Sequence, residues 1–108
     1  METAEAAVAK LIEEDPALAD RLIAIAPSLN DPDAVAAAFD EVVNAFGSLD
    51  ILCNNAGVSS RTPLVDYTVE EFERIVDLNL NAVFVCSQAA ARIMIEQGGG
   101  VIINTSSM

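Results

Sequence analysis

At 108 residues the chain has room for a single small domain, spanning 1–108, with a core of its own. Hydrophobic residues make up 53% of it and aromatics 5%, with no Trp, so an interior must be packed from Ala, Val, Ile and Leu, which favours α/β over a small β-sandwich. Seventeen acidic against five basic side chains give a formal charge of −12, which repels nucleic-acid phosphates and anionic headgroups and argues against nucleic acid and membrane as partners.

Over residues 3–14, Ala4, Ala7, Val8, Leu11 and Ile12 recur at the spacing of one helix face, and Pro16 stops the pattern. This N-terminal stretch lacks a charged start followed by an apolar signal core, no run of about twenty apolar residues follows, and a cytoplasmic location is expected. RLIAIA, residues 21–26, is an apolar run of strand length, although its Ala-rich neighbours leave a helix open. In NDPDAVAAAFDEVVNAFG, Asp31 is placed to cap the next turn, Pro32 fits the first helical position, and Gly47 fits the left-handed residue past the end. Val35, Phe39, Val42, Val43 and Phe46 form the apolar stripe of that helix.

LDILCNNAG reads as a buried strand over 49–53, stopped by Asn54, Asn55 and Gly57, and a loop runs on through Pro63. Thr68 and Glu71 are spaced as a capping box, so a long helix starts near Val69. Phe72, Ile75, Val76, Leu80, Val83, Phe84, Ala91 and Met94 keep helical spacing to about Gln97. Gly98, Gly99 and Gly100 end it as cap and turn, and VIIN begins the last strand. This alternation of helix and strand predicts about three parallel strands joined by crossovers, with flanking helices. Cys53 and Cys86 lie in apolar runs without C-x-x-C or metal-ligand spacing, and the chain has no His. Both are expected to be buried, reduced thiols, and no metal site is expected.

In parallel sheets ligands bind beyond the carboxyl ends of strands, and NNAG and NTSS occupy two such ends. Each alone is an ordinary strand-ending turn. Taken together, LDILCNNAG, PLVDYTVEEFERIVDLNLNAVFV and GGGVIINTSS closely resemble, in order and spacing, the short-chain dehydrogenase/reductase family over about residues 31–108. The resemblance implies a partial Rossmann-type, doubly wound parallel sheet. It implies NAD or NADP as cofactor and hydride transfer between the nicotinamide and a small-molecule carbonyl or alcohol. It further implies that Asn55, Ala56 and Gly57 line the adenosine side of the cofactor, with Ser28 and Leu29 at the adenine. Thr105 would lie near the nicotinamide end. Asn79 would be the helix-kinking asparagine that positions a water in the proton relay, and Ser107 the serine that hydrogen-bonds the reacting oxygen, a role a hydroxyl suits because it both donates and accepts. Self-association through the 80–97 helix is also implied.

The chain departs from the family pattern at several points. Ser28 stands where the family typically carries an adenine-contacting Asp. No glycine-rich turn precedes Thr3, and Gly98–Gly100 cannot replace one because it leads into a strand. The family's catalytic Tyr and Lys, four residues apart, are expected beyond Ser107; the chain's one tyrosine is Tyr67, with Glu71 four residues on, and its one lysine is Lys10. Tyr67 is expected to be a loop or helix-entry residue. In the family's sheet order, third–second–first–fourth–fifth, the strands here are the third, fourth and fifth. Residues 21–26 therefore either pair directly with 49–53 or leave an apolar edge open, and the first helix is placed to cover the second face. The expectation is a part of an NAD(P)-dependent short-chain oxidoreductase, inactive alone. The alternative is a noncatalytic module that pairs with a full-length relative through its strand edge or long helix.

Overall fold

The computed structural model describes residues 3–57 and 61–105. Helix α1, Ala4–Glu14, starts where Thr3 Oγ1 accepts the Ala6 N–H at 3.1 Å, and Asp15 then caps a 3-10 turn, Pro16–Leu18. α1 packs on that turn and none of its residues is buried. The segment RLIAIA carries no strand. A parallel strand exists only through hydrogen bonds to neighbours, and among the described residues the sheet consists of two strands rather than three.

Asp31 opens helix α2, Pro32–Phe46, by accepting the Asp33 and Ala34 N–H groups at 3.0 and 3.3 Å. Gly47, at φ 90°, closes it in the left-handed conformation, its N–H bonding Val43 O at 2.7 Å. Val35 and Ala38 are buried on its inner face, and Phe39, Val42 and Val43 pack on a core of Leu49, Ala90 and Met94. Phe46, at the end of the expected stripe, is exposed.

Strands β1, Ile51–Asn54, and β2, Val101–Asn104, pair in parallel, from Ile51 opposite Val101 to Asn54 opposite Asn104. Side chains alternate across a strand. Leu52 and Ile102 meet the helical layer, while Ile51, Val101 and Ile103 on the other face are 60, 54 and 48% exposed. The first helix thus does not cover this second face; α1 packs on its own C-terminal turn, and its first residues border a cavity with residues 24–26.

The crossover between the strands is one continuous helical run. Thr68 Oγ1 accepts the Glu71 N–H at 3.0 Å and opens helix α3, Val69–Val76. A π-helical turn, Asp77–Asn81, follows, in which the Ala82 N–H reaches back five residues to Asp77 O. Helix α4, Ala82–Gln97, completes the run. By length and mean hydropathy the run is capable of crossing a bilayer. Its buried positions recur every fourth residue, at Ala82, Cys86, Ala90 and Met94, and through this face α4 packs on α2 and β1. α2 packs against α4, and Phe39, Val42 and Val43 join Leu52 and Ile102 around one core, so both helices lie on the same face of the sheet. Gly98, at φ 96°, ends the run: Gly99 N–H bonds Met94 O at 2.8 Å and Gly98 N–H bonds Ile95 O at 3.3 Å, the paired bonds of a Schellman cap.

Candidate functional site

β1 and β2 end side by side, and their carboxyl ends are tied by more than the sheet ladder. The Asn54 side-chain amide donates to Asn104 Oδ1 at 2.8 Å and to Ser87 Oγ on α4 at 3.1 Å, and the Thr105 N–H donates to Asn54 O at 3.1 Å. Thr105 therefore sits directly beside the start of the Asn55–Gly57 turn. Ser106 and Ser107, the next two residues, lie outside the described residues.

Two cavities open beyond these strand ends. The smaller, about 140 Å³, is lined by Cys53, Asn54, Asn55 and Ala56 from β1 and its turn, by Leu29, and by Leu78, Ala82 and Cys86 from the helical run. The larger, about 590 Å³, is lined by Ser28, Leu29 and Asn30 on one side and Arg74, Asp77, Leu78 and Ala82 on the other. Leu29, Leu78 and Ala82 are common to both, so the two form one crevice around an apolar ridge. The structure thus brings Ser28, Leu29, Asn55 and Ala56 to a single crevice, although 25 or more residues of chain separate the two pairs.

Gly57 and Asn79 meet at its edge. A Cβ at position 57 would stand 3.0 Å from Asn79 Oδ1, so glycine is what lets the turn approach the helix so closely. Asn79 lies inside the π-helical turn, where the helix widens by one residue. Asn81, its polar neighbour, is engaged instead with Asp77, donating from Nδ2 to Oδ1 at 2.7 Å.

The residues of this crevice suit the nucleoside part of a dinucleotide better than its phosphates. The volume is that of a small-molecule site, and Leu29, Ala56, Leu78 and Ala82 give apolar walls for a flat base. Ser28 Oγ and Asn30 Oδ1, hydrogen-bonded at 2.9 Å, supply polar atoms where the sequence has no Asp. Glu70, Glu73 and Asp77 at the rim, against Arg74, are poor company for phosphate. Leu78 and Ala82 escaped the sequence reading. Their spacing of four put them on one helix face, but nothing local distinguished that face from the core.

Tyr67 stands at the entry to α3, its N–H closing a 3-10 turn, Leu64–Asp66, onto Leu64 O at 3.2 Å. It is not among the residues lining the crevice. Both cysteines are free, but only Cys86 is buried; Cys53 lies on the uncovered strand face and is exposed, contrary to the expectation for it. Burial pushes the Cys86 thiol pKa up by desolvation.

A sequence model described as short chain dehydrogenase matches residues 1–108. The chain is 61% identical over 82 residues to a 3alpha-hydroxysteroid dehydrogenase of Mediterraneibacter gnavus, an alignment covering 76% of this chain and 33% of that protein. A short-chain type dehydrogenase/reductase from Mycobacterium marinum superposes with a TM-score of 0.74 at 44% identity, covering 78% of this chain and 34% of that one. A gluconate 5-dehydrogenase from Burkholderia cenocepacia, solved with NADP and tartrate, gives 0.65 at 41% identity, covering 70% and 30%. The chain thus spans about a third of the length of the relatives it matches. With two parallel strands, a helical crossover on one face and a crevice at the strand ends, the chain belongs to the short-chain dehydrogenase family.

Proposed function

We propose that this chain forms the nucleoside wall of the cofactor crevice in an NAD(P)-dependent oxidoreductase acting on a small alcohol or carbonyl compound. The observation that carries the reading is the convergence of Ser28, Leu29, Asn55 and Ala56 on one crevice beyond the strand ends. A nicotinamide dinucleotide, when bound, supplies or accepts the hydride. The chain's own residues bind and orient it: Leu29, Ala56, Leu78 and Ala82 pack against the base, and Gly57 keeps the turn open beside Asn79. Thr105 and Ser107 are assigned to the reacting end, Ser107 as the hydrogen-bond partner of the reacting oxygen. Asn79 is assigned to proton relay through a held water, a role that the widened helical turn around it supports.

On this reading the 108 residues bind the dinucleotide weakly and turn over no alcohol, because Lys10 and Tyr67 do not form the family's tyrosine–lysine pair. The hydroxysteroid dehydrogenase at 61% identity makes a secondary alcohol on an apolar ring system the first substrate class to test in any longer form. Titrating the chain with NADH and NADPH by fluorescence tests the reading. Saturable binding in roughly the high-micromolar to millimolar range is expected, weakened at least tenfold in Leu29→Glu. No binding at millimolar nucleotide overturns the crevice assignment, and brisk alcohol oxidation by this polypeptide overturns its inactivity.

A second reading, a noncatalytic module that pairs with another copy or a longer relative, is favoured by one observation. Leu80, Phe84 and Ile95 on the long helical run are 64, 64 and 79% exposed. Sedimentation of the chain as a monomer at all concentrations, alone and with a longer relative, would remove that support.

A further inference from the structure

The two-stranded sheet is held at each end by a side-chain clamp, and the two clamps differ in what they touch. At the amino ends, Gln97 imitates a neighbouring strand: its Oε1 accepts the Leu49 N–H at 3.2 Å, and its Nε2 donates to Leu49 O at 2.6 Å and Gly99 O at 2.9 Å. This clamp is remote from the crevice, and none of its residues lines it. At the carboxyl ends, Asn54 uses its amide nitrogen twice, toward Asn104 Oδ1 on β2 and toward Ser87 Oγ on α4. A primary amide has two hydrogens, so these two bonds account for both.

The consequences of the two bonds are separable. The bond to Asn104 joins strand to strand, and the ladder already does that. The bond to Ser87 joins the strand ends to α4, the run that carries Leu78 and Ala82 on the opposite wall of the crevice. Asn54 is also the residue that leads into Asn55 and Ala56, and its carbonyl holds the Thr105 N–H at 3.1 Å. One hydroxyl on α4 is thus bonded to the residue from which both turns beside the crevice are held.

We propose that Ser87 is a positioning residue: through Asn54 it fixes the separation of α4 from the Asn55–Gly57 turn and Thr105, and so the width of the nucleotide crevice. The consequence for nucleotide affinity rests on the function proposed above; the geometric part stands without it. Removing the Ser87 oxygen leaves the Asn54–Asn104 bond, the ladder and the core contacts of Ala90 and Met94 in place, so the sheet and its packing persist while the carboxyl ends of the strands lose their polar tie to α4. Removing the Gln97 amide does the reverse, loosening the amino ends and sparing the crevice.

The experiment compares Ser87→Ala, Ser87→Thr and Gln97→Ala in the full 108-residue chain by amide hydrogen exchange at Thr105, NADH titration and thermal melting. Ser87→Ala is expected to speed Thr105 exchange by about threefold to tenfold, the loss of one ordinary hydrogen bond, and to weaken NADH binding by a similar factor. Ser87→Thr, which keeps an oxygen on Cβ, is expected to restore both. Gln97→Ala should lower the melting temperature at least as much as Ser87→Ala while leaving Thr105 exchange and NADH affinity within about twofold of the parent. The proposal is overturned if Ser87→Ala leaves Thr105 exchange unchanged, if threonine does not restore it, or if Gln97→Ala moves it equally. Should the parent chain bind no NADH, the functional reading fails while the exchange data still decide the role of Ser87.

Discussion

Cys53 and Cys86 show how much a single residue's behaviour depends on the face it occupies. Both stand in apolar runs, so residue type and neighbours read alike, yet Cys86 turns inward from α4 and Cys53 faces the uncovered side of β1. Cys53 is expected to alkylate completely with iodoacetamide in native buffer while Cys86 reacts only on unfolding, as mass spectrometry would show; equal native rates would contradict the packing. The raised pKa of Cys86 has a signed consequence. Below the ordinary thiol value, near 9.0, both folded and unfolded forms are neutral and the contribution to stability is intact. As pH rises above that value the unfolded thiol ionises first, so stability is lost progressively toward the higher folded pKa. Melting temperature should therefore fall more steeply above pH 9 in the parent than in Cys86→Ala, even though the variant melts lower overall; parallel slopes would rule out burial at Cys86 as the cause. Tyr67, away from the crevice, is a contrasting case. Tyr67→Phe should leave NADH affinity within about twofold, since it removes a hydroxyl that lines neither cavity.

At the scale of elements, what is local was legible and what is long-range was not. Asp31, Pro32 and Gly47 announce α2, and Thr68 with Glu71 announces the long run, because a cap is a bond between residues two or three apart. Asp31→Ala is expected to cost about 1 kcal/mol, read by denaturant unfolding. Gly100 carries a different constraint, absent from any local pattern. A Cβ there would fall inside contact distance of Met94 Cγ and Sδ, and Met94 is core, so Gly100→Ala should cost about 1–3 kcal/mol; a neutral effect would mean the turn shifts freely. The strand expected over 21–26 failed for the complementary reason. RLIAIA has the composition of a strand, but a strand is a relation between segments, and the two-stranded sheet does not include it. The π-helical turn likewise has no spacing signature in DLNLN; only the resemblance of Asn79 to a family residue pointed to an irregularity there.

For the whole molecule, the crevice exists because residues from three separate stretches, 28–30, 53–56 and 70–82, arrive at one place; strand-end topology pointed to the second, and family resemblance alone pointed to the first. The third stretch brings carboxylates as well as walls: Glu70, Glu73 and Asp77 rim the larger cavity with Arg74 as their basic neighbour. They add to a formal charge of −12, and a nicotinamide dinucleotide is itself an anion, so the molecule's field opposes the ligand proposed for it. Screening should relieve both this repulsion and the chain's own. Raising sodium chloride from about 20 to about 300 mM shortens the Debye length from roughly 20 Å to about 6 Å. NADH affinity is then expected to rise by about twofold to fivefold and the melting temperature by a few degrees, the opposite of the salt response of a protein that draws anions in through basic side chains. Glu73→Gln should raise affinity at low salt and flatten its salt dependence. Affinity that falls with salt would mean that cationic groups, not these carboxylates, govern access to the crevice.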